Sequence, residues 1–366
     1  MLTAARRRPG AAVLALASGL LAGTGLATGP VSGAAQAQEA LTPAQKAALL
    51  FTAFRKFGGR VRYGSVAGRN RALTIRDLKL EIPAPVDRLS IRGRAGKLRV
   101  TAETMLVRRF DYRNPDLPRF ADLSITGVRP GGNAVNERER SAFRSIFGRD
   151  DIVLDIAQNY ALDLAAGSLD FRNFSVALRG VATLGLAVRL DGIDFAGLSD
   201  PDVWERLLLR ERHPGKRKRL AAVDTVLMDA VPRLRLHALS VSLTDLGGVE
   251  RAMAYAAEQR SKENPDRPRL TPDSMRDMAA GILAGFGARF SGILAAQALR
   301  EAGRFVMVPG TLTVAAKPGQ PLSMTRLAGF AEGFATAVER MKGRKIDLDP
   351  LQKFLGLSVS YSPAAR

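Results

Sequence analysis

The chain has 366 residues, no cysteine, and 55 lysines and arginines against 35 acidic residues, a formal charge of +20. The missing thiol excludes disulfides, a lipid-modified amino-terminal cysteine, thiolate catalysis and cysteine-held metals. The basic balance favours anionic partners, although net charge bears on association rather than on fold.

The first element is a leader. Arg6-Arg7-Arg8 precede an apolar run from Ala11 to about Thr28, and Ala35-Gln36-Ala37 offers a small-x-small cleavage site. This is the layout of a secretory signal peptide, residues 1–37, cleaved after Ala37. An uncleaved anchor is the rival, but Gly19, Gly23 and Gly25 dilute a run already short for the ~20 apolar residues of a span. Pro9 and Gly10 follow the arginines where a twin-arginine signal carries an apolar pair, which favours the general secretory route. The expected location is therefore periplasmic. Residues 38–366 are expected to form one α+β domain, with a point of subdivision near 200–230. That remainder carries +17. In such a compartment the fitting anions are lipid head groups, lipopolysaccharide phosphates, acidic glycans or an acidic protein, not nucleic acid.

Thr42 and Pro43 predict a helix start, with Ala47, Leu50, Phe54 and Phe57 on one face and Gly58-Gly59 as its stop. Strands are predicted over 71–82, 87–92, 97–107 and 120–128, and a short helix near 135–147. KLRVTAETMLV, 97–107, alternates only in part. A β-meander follows from Asn159 to Phe195, then a charged helical region over about 201–230. A strand at 234–243 and a helix at about 246–260 come next. Thr271-Pro272 opens a long helix to about 303. GTLTVAA (310–316), a helix at about 323–341 and LSVSY (357–361) complete the chain. Strands and helices mix without a β-α-β rhythm. The expected fold class is α+β, with a mainly antiparallel, bent and twisted sheet on which helices pack.

One pattern occurs three times. LTIRDLKLEI (73–82), LDFRNFSVAL (169–178) and LRLHALSVSL (234–243) each place five apolar residues with a two-residue stutter in the middle. The blocks start 96 and 65 residues apart, so they are not units of an array, whose period would be constant. In a regular strand the stutter would split the five between two faces. One extra residue at Arg76-Asp77, and at its counterparts, returns all five to one side, which predicts bulged, bent strands with a single apolar face. The first stutter residue is basic each time: Arg76, Arg172 and His237. A basic edge for anionic head groups is one reading; solvent-facing bulge residues are the simpler one.

Chemistry-bearing residues are few. His213 sits beside Pro214 and His237 at a predicted bulge, neither at metal-ligand spacing, and no G-x-S-x-G elbow occurs. Asp150-Asp151 with Asp155, and Asp347 with Asp349, read as caps and turns before they read as cation ligands. No catalytic residue, metal ligand or cofactor is expected. The run RERHPGKRKR (210–219) is the candidate anionic-surface site: Arg210, Arg212, Lys216, Arg217, Lys218 and Arg219. A solvated helix junction is its plainer reading. MAAGILAGFGARFSGILAAQ (278–297), with Arg289 as its one charge, is read as a helix packed across the sheet rather than inserted in a membrane.

FVMVPGTLTVAAKPGQPLSMTRL, 305–327, resembles a stretch near the end of uncharacterised periplasmic proteins of Gram-negative bacteria, with a strand, K-P-x-x-P, helix layout. The stuttered strands are more distantly similar to those of AsmA- and YdgA-type envelope proteins. The closer resemblance covers about 60 residues at the C-terminus. Neither carries a catalytic motif, and together they imply an envelope-located protein. The leading expectation is an exported, non-catalytic envelope binding protein for lipid or another amphipathic anionic ligand, associating with a membrane surface or an anionic envelope polymer. A scaffold that binds an envelope protein partner is the alternative, and a hydrolase the third.

Overall fold

A computed structural model describes residues 41–56, 59–69, 72–83, 97–115, 117–131, 137–148, 151–195, 233–263, 266, 268–340 and 345–364. The leader, the strand expected at 87–92 and the charged region at 201–230 lie outside them. The chain falls into two compact units, one from residues up to Asn136 and Phe195–Val226, the other from Glu137–Asp194 and Leu227–Arg366. The fold is α+β with mainly antiparallel, open sheet, as expected.

In the first unit, α1 (Pro43–Leu50) starts where the sequence places it. Thr42 Oγ1 accepts from the Gln45 N–H, and Gln45 Oε1 accepts from the Thr42 N–H, a reciprocal cap that satisfies two orphan donors. A turn at Phe51 separates it from α2 (Thr52–Lys56), and Ala47 and Phe51 are the residues it buries. Five strands follow: β1 (Arg60–Arg62), β2 (Ser65–Arg69), β3 (Ala72–Pro83), β4 (Lys97–Phe110) and β5 (Phe120–Pro130). β3 pairs with β1, β2 and β4, and β4 pairs with β5, all antiparallel.

The stutter in β3 is real, and it extends across the unit's sheet. Leu73, Ile75, Leu78 and Leu80 are all buried while Arg76 and Asp77 are exposed. Asp77 takes a φ of 53°, rare for a residue with a side chain. β4 changes phase opposite it: Ala102 and Met105 are both buried, with exposed Glu103 between. β5 changes phase opposite Glu103, where Ile125 and Val128 are both buried and Gly127 has φ 66°. Pairing runs on either side with unchanged register, Arg76↔Thr104 then Leu78↔Ala102, and Thr104↔Thr126 then Thr101↔Arg129. Three strands thus carry their extra residue on the same rung, a crease rather than a lone bulge. It also accounts for the partial alternation of 97–107. Each side chain kept inside is worth roughly 1.5–3 kcal/mol, so loss of phase in one strand would be costly.

The β4–β5 turn is pinned by a buried acid. Asp111 accepts from Arg119 Nε (2.7 Å), Asn114 Nδ2 (2.9 Å) and the Arg119 N–H (3.3 Å). Burial alone would raise its pKa, but the Arg119 and Asn114 hydrogen bonds outweigh that and hold it below the ordinary value.

The second unit opens with α3 (Glu137–Phe147) and then β6 (Leu154–Asp163), β7 (Ser168–Leu178), β8 (Ala182–Asp191) and β9 (Arg235–Asp245). After them come α4 (Gly248–Glu263), α5 (Pro272–Gly287), β10 (Phe290–Ser291), α6 (Ile293–Met307) and β11 (Gly310–Ala316). β12 (Leu322–Ser323), α7 (Met324–Arg340), β13 (Ile346–Asp347), α8 (Asp349–Leu355) and β14 (Leu357–Pro363) complete it. Its sheet runs β6-β7-β8-β9-β11-β14, with β12 also against β9. Here the stutters are true bulges. β7 carries Arg172 and Asn173 between the pairs Phe171↔Val188 and Phe174↔Leu186, and β9 carries His237 between Arg189↔Ala238 and Leu190↔Leu236.

The long helix expected from Thr271 to about 303 is two helices. Thr271 caps α5 as expected, by accepting from the Ser274 N–H. The chain then leaves helical geometry at Arg289–Gly292, where Gly292 has φ 99°. Two distant groups outcompete the helix there. β10 pairs in parallel with β13, through Ile346 N–H to Arg289 O (2.9 Å) and Leu348 N–H to Ser291 O (3.1 Å). Asp349 Oδ1 then accepts from the Ile293 N–H (2.7 Å) and so starts α6 from 56 residues away. Phe290 accordingly belongs to no helical face. No helix among the described residues is long and apolar enough to cross a membrane.

Candidate functional site

The second unit's sheet has two unlike faces. On one, Ser175, Gly185, Ser242, Thr313 and Ser360 stand side by side across five strands. On the other, Val176, Leu184, Leu243, Leu312 and Tyr361 form one row, and Phe174, Leu186, Val241, Val314 and Val359 the next. The bulges keep both rows in phase, since a one-residue slip would send every side chain to the opposite face.

Cover over the apolar face is uneven. At its ends Val176 and Val359 are buried; α6 packs on β14 with Leu294, Ala295 and Phe305 buried. Between them the rows are open. Leu184 is 52% exposed, Val314 43%, Val241 39% and Leu243 38%. Adjacent strands lie ~4.8 Å apart, so the open strip is roughly 10 Å across from β8 to β11. The three copies of the stuttered strand make the contrast sharp. The fourth apolar residue of the pattern is 6% exposed in β3 (Leu80), 9% in β7 (Val176) and 39% in β9 (Val241). The same sequence device that builds core twice is left facing outward the third time.

A polar cluster closes the β9 bulge. His237 Nε2 lies 2.6 Å from Asp191 Oδ2, and Arg235 Nε donates to Asp191 Oδ1 at 2.7 Å. Burial pushes the Asp191 carboxyl up, but the His237 and Arg235 bonds prevail and lower it. These bonds tie β8 to β9 across the bulge. Arg172 likewise donates to Asp170 of its own strand at 2.8 Å. With Arg172 and His237 each hydrogen-bonded to a carboxylate, two of the three members of the basic-edge reading are held by local partners. Arg76 is exposed.

Of the acidic residues read from the sequence, Asp155, Asp347 and Asp349 act as caps or ion-pair partners. Asp349 caps α6, Asp347 Oδ1 accepts from the Asp349 N–H (3.0 Å), and Asp155 pairs two-fold with Arg179, both bonds at 2.8 Å. Among the described residues no three His, Asp or Glu gather as a metal site would require. Arg210, Arg212, Lys216, Arg217, Lys218 and Arg219, together with His213 and Asp150, lie outside the described residues. The open strip was not foreseen as a site. Its sequence signals are the alternation Leu184, Leu186, Val188, Leu190 and the third stuttered block with Val241 and Leu243, which mark a face without saying whether anything covers it.

A comparison with curated proteins finds no match. Residues 175–343 do match the model of a family described as "Uncharacterized protein". The matched stretch contains Leu184, Val241, Leu243 and Val314, and also the 305–327 segment, whose expected likeness to an uncharacterised family it fits.

Proposed function

We propose that this protein is a non-catalytic, exported binding protein of the cell envelope that holds the acyl part of an anionic lipid on the open strip of its second unit. The observation that carries this reading is the exposure of Val241, with Leu184, Leu243 and Val314 around it, where the positions matching Val241 in β3 and β7 are buried. An uncovered row of leucines and valines is costly in water, and each acyl methylene laid on it gains up to ~0.8 kcal/mol. The charge of +17 on residues 38–366 supplies long-range attraction for an anionic head group.

The test is native mass spectrometry and lipid extraction on protein purified under conditions that keep lipid in a control carrier. Lipid should accompany the wild-type chain and be lost from Leu184→Asp/Val241→Asp, whose exposed sites tolerate the charges. Bare wild-type protein, or equal lipid on the variant, would overturn the reading. A stoichiometric protein in place of lipid would instead establish the scaffold alternative.

A further inference from the structure

Strand β14 ends the strand order of its sheet, paired on one side with β11 and on the other with no described strand. Two flanking bonds fix which of its backbone groups are spent. Lys317 donates to Gly356 O and Ala364 donates to Pro309 O, both at 3.2 Å. In an antiparallel ladder such bonds enclose the non-hydrogen-bonded pairs Ala316↔Leu357 and Gly310↔Pro363. Alternation then gives Ser358, Ser360 and Ser362 the bonds to β11. The N–H and C=O groups of Leu357, Val359 and Tyr361 point the other way.

This edge is neither short, charged nor bulged, and only Pro363 at its end withholds an N–H. Such edges are ordinarily short, charged or bulged. In the first unit, β1 is three residues with Arg60 and Arg62 exposed, and β2 is five with Arg69 exposed. β14 runs LSVSYSP in unbroken register over seven pairs without a charge.

We propose that β14 pairs antiparallel with β14 of a second copy of this chain, about a two-fold axis through Val359. The outward groups fit that arrangement. Val359 exchanges two bonds with the partner's Val359, Leu357 exchanges two with the partner's Tyr361, and Tyr361 exchanges two with the partner's Leu357. All three outward residues are used, in six main-chain bonds. Gly356, left-handed at φ 59°, and Pro363, which has no N–H, close the window at its two ends. Side chains agree, with valine against valine and leucine against tyrosine on one face. Serine meets serine on the other. The pairing stands on strand geometry alone and is independent of the lipid reading.

Sedimentation velocity of the full chain over a concentration series tests it. The wild type should show a concentration-dependent dimer. Val359→Pro removes an outward N–H while sparing the bonds to β11, and should be a folded monomer by circular dichroism. Because Val359 is buried, a second variant guards against misfolding. Ser358→Lys/Ser360→Lys changes only exposed side chains and sets lysines opposite lysines across the axis; it should weaken the dimer at least tenfold. A wild type that stays monomeric at every concentration overturns the proposal. So does a dimer that survives in the lysine variant.

Discussion

Gly127→Ala puts the crease under direct test. Gly127 combines φ 66° with a neighbour, because an added Cβ would overlap the Glu103 carboxyl group. A left-handed alanine costs ~1–2 kcal/mol. The overlap adds a smaller amount, since Glu103 is an exposed side chain that can swing away at the loss of its 2.7 Å bond to Arg129, an exposed pair worth ~0.2–1 kcal/mol. The expected total is about 1.5–3 kcal/mol. Gly148 is the internal control: its φ is 65° with nothing within 4 Å of an added Cβ, so Gly148→Ala should cost only about the backbone part, ~1–2 kcal/mol. Urea unfolding at constant slope measures both. Adding Glu103→Ala to Gly127→Ala should cost almost nothing further, because the bond to Arg129 is already lost, a non-additivity of about 0.2–1 kcal/mol. Gly127→Ala within ~0.5 kcal/mol of wild type would refute the reasoning, since a positive-φ residue on a three-strand rung cannot be indifferent to a side chain.

Three further outcomes follow from the same physics. Asp77→Val raises β propensity yet should destabilise by ~1–2 kcal/mol, because a branched residue fits poorly at φ 53°; chemical denaturation checks it. Asp349→Ala uncaps α6 and should cost ~1 kcal/mol by thermal melting, with Asp349→Asn recovering most of it. Asp111 has a folded pKa below its ordinary 3.8, so its stabilisation is fully present above that value. It fades as pH falls through the lower folded value. Relative to Asp111→Asn, the wild type should therefore be more stable by urea midpoint near neutral pH and lose that advantage only below about pH 3.8.

The stuttered strands were legible because a three-residue gap between apolar positions has few solutions in an extended chain. What single segments could not show was how strands share the extra residue. In the first unit β4 and β5 match the phase change of β3, whereas in the second β7 and β9 bulge alone. The α5–α6 break was hidden for a different reason. Its local sequence is compatible with helix, and the groups that end the helix, Ile346 and Asp349, come from more than fifty residues downstream. The first two strands, RVR and SVAGR, are too short and too charged to carry periodicity and draw their order from β3. The site was the least legible part. Alternation names the face on which Leu184 and Val241 lie, but cover is a property of whatever packs there.

The distant cap on α6 also has a consequence in time. The chain from Ile346 to Pro363 supplies the strand beside β10, the acceptor for the first N–H of α6 and the outer strand beside β11. None of these can form until residues 346–363 have arrived, and each closes a loop of about fifty residues at an entropic cost. A chain truncated just before Ile346 should retain the β6, β7, β8, β9 and β11 pairings while β11 becomes the edge and α6 loses the acceptor for its first N–H. Assembly of the second unit should therefore run from its middle strands outward, with the 346–363 stretch locking after them.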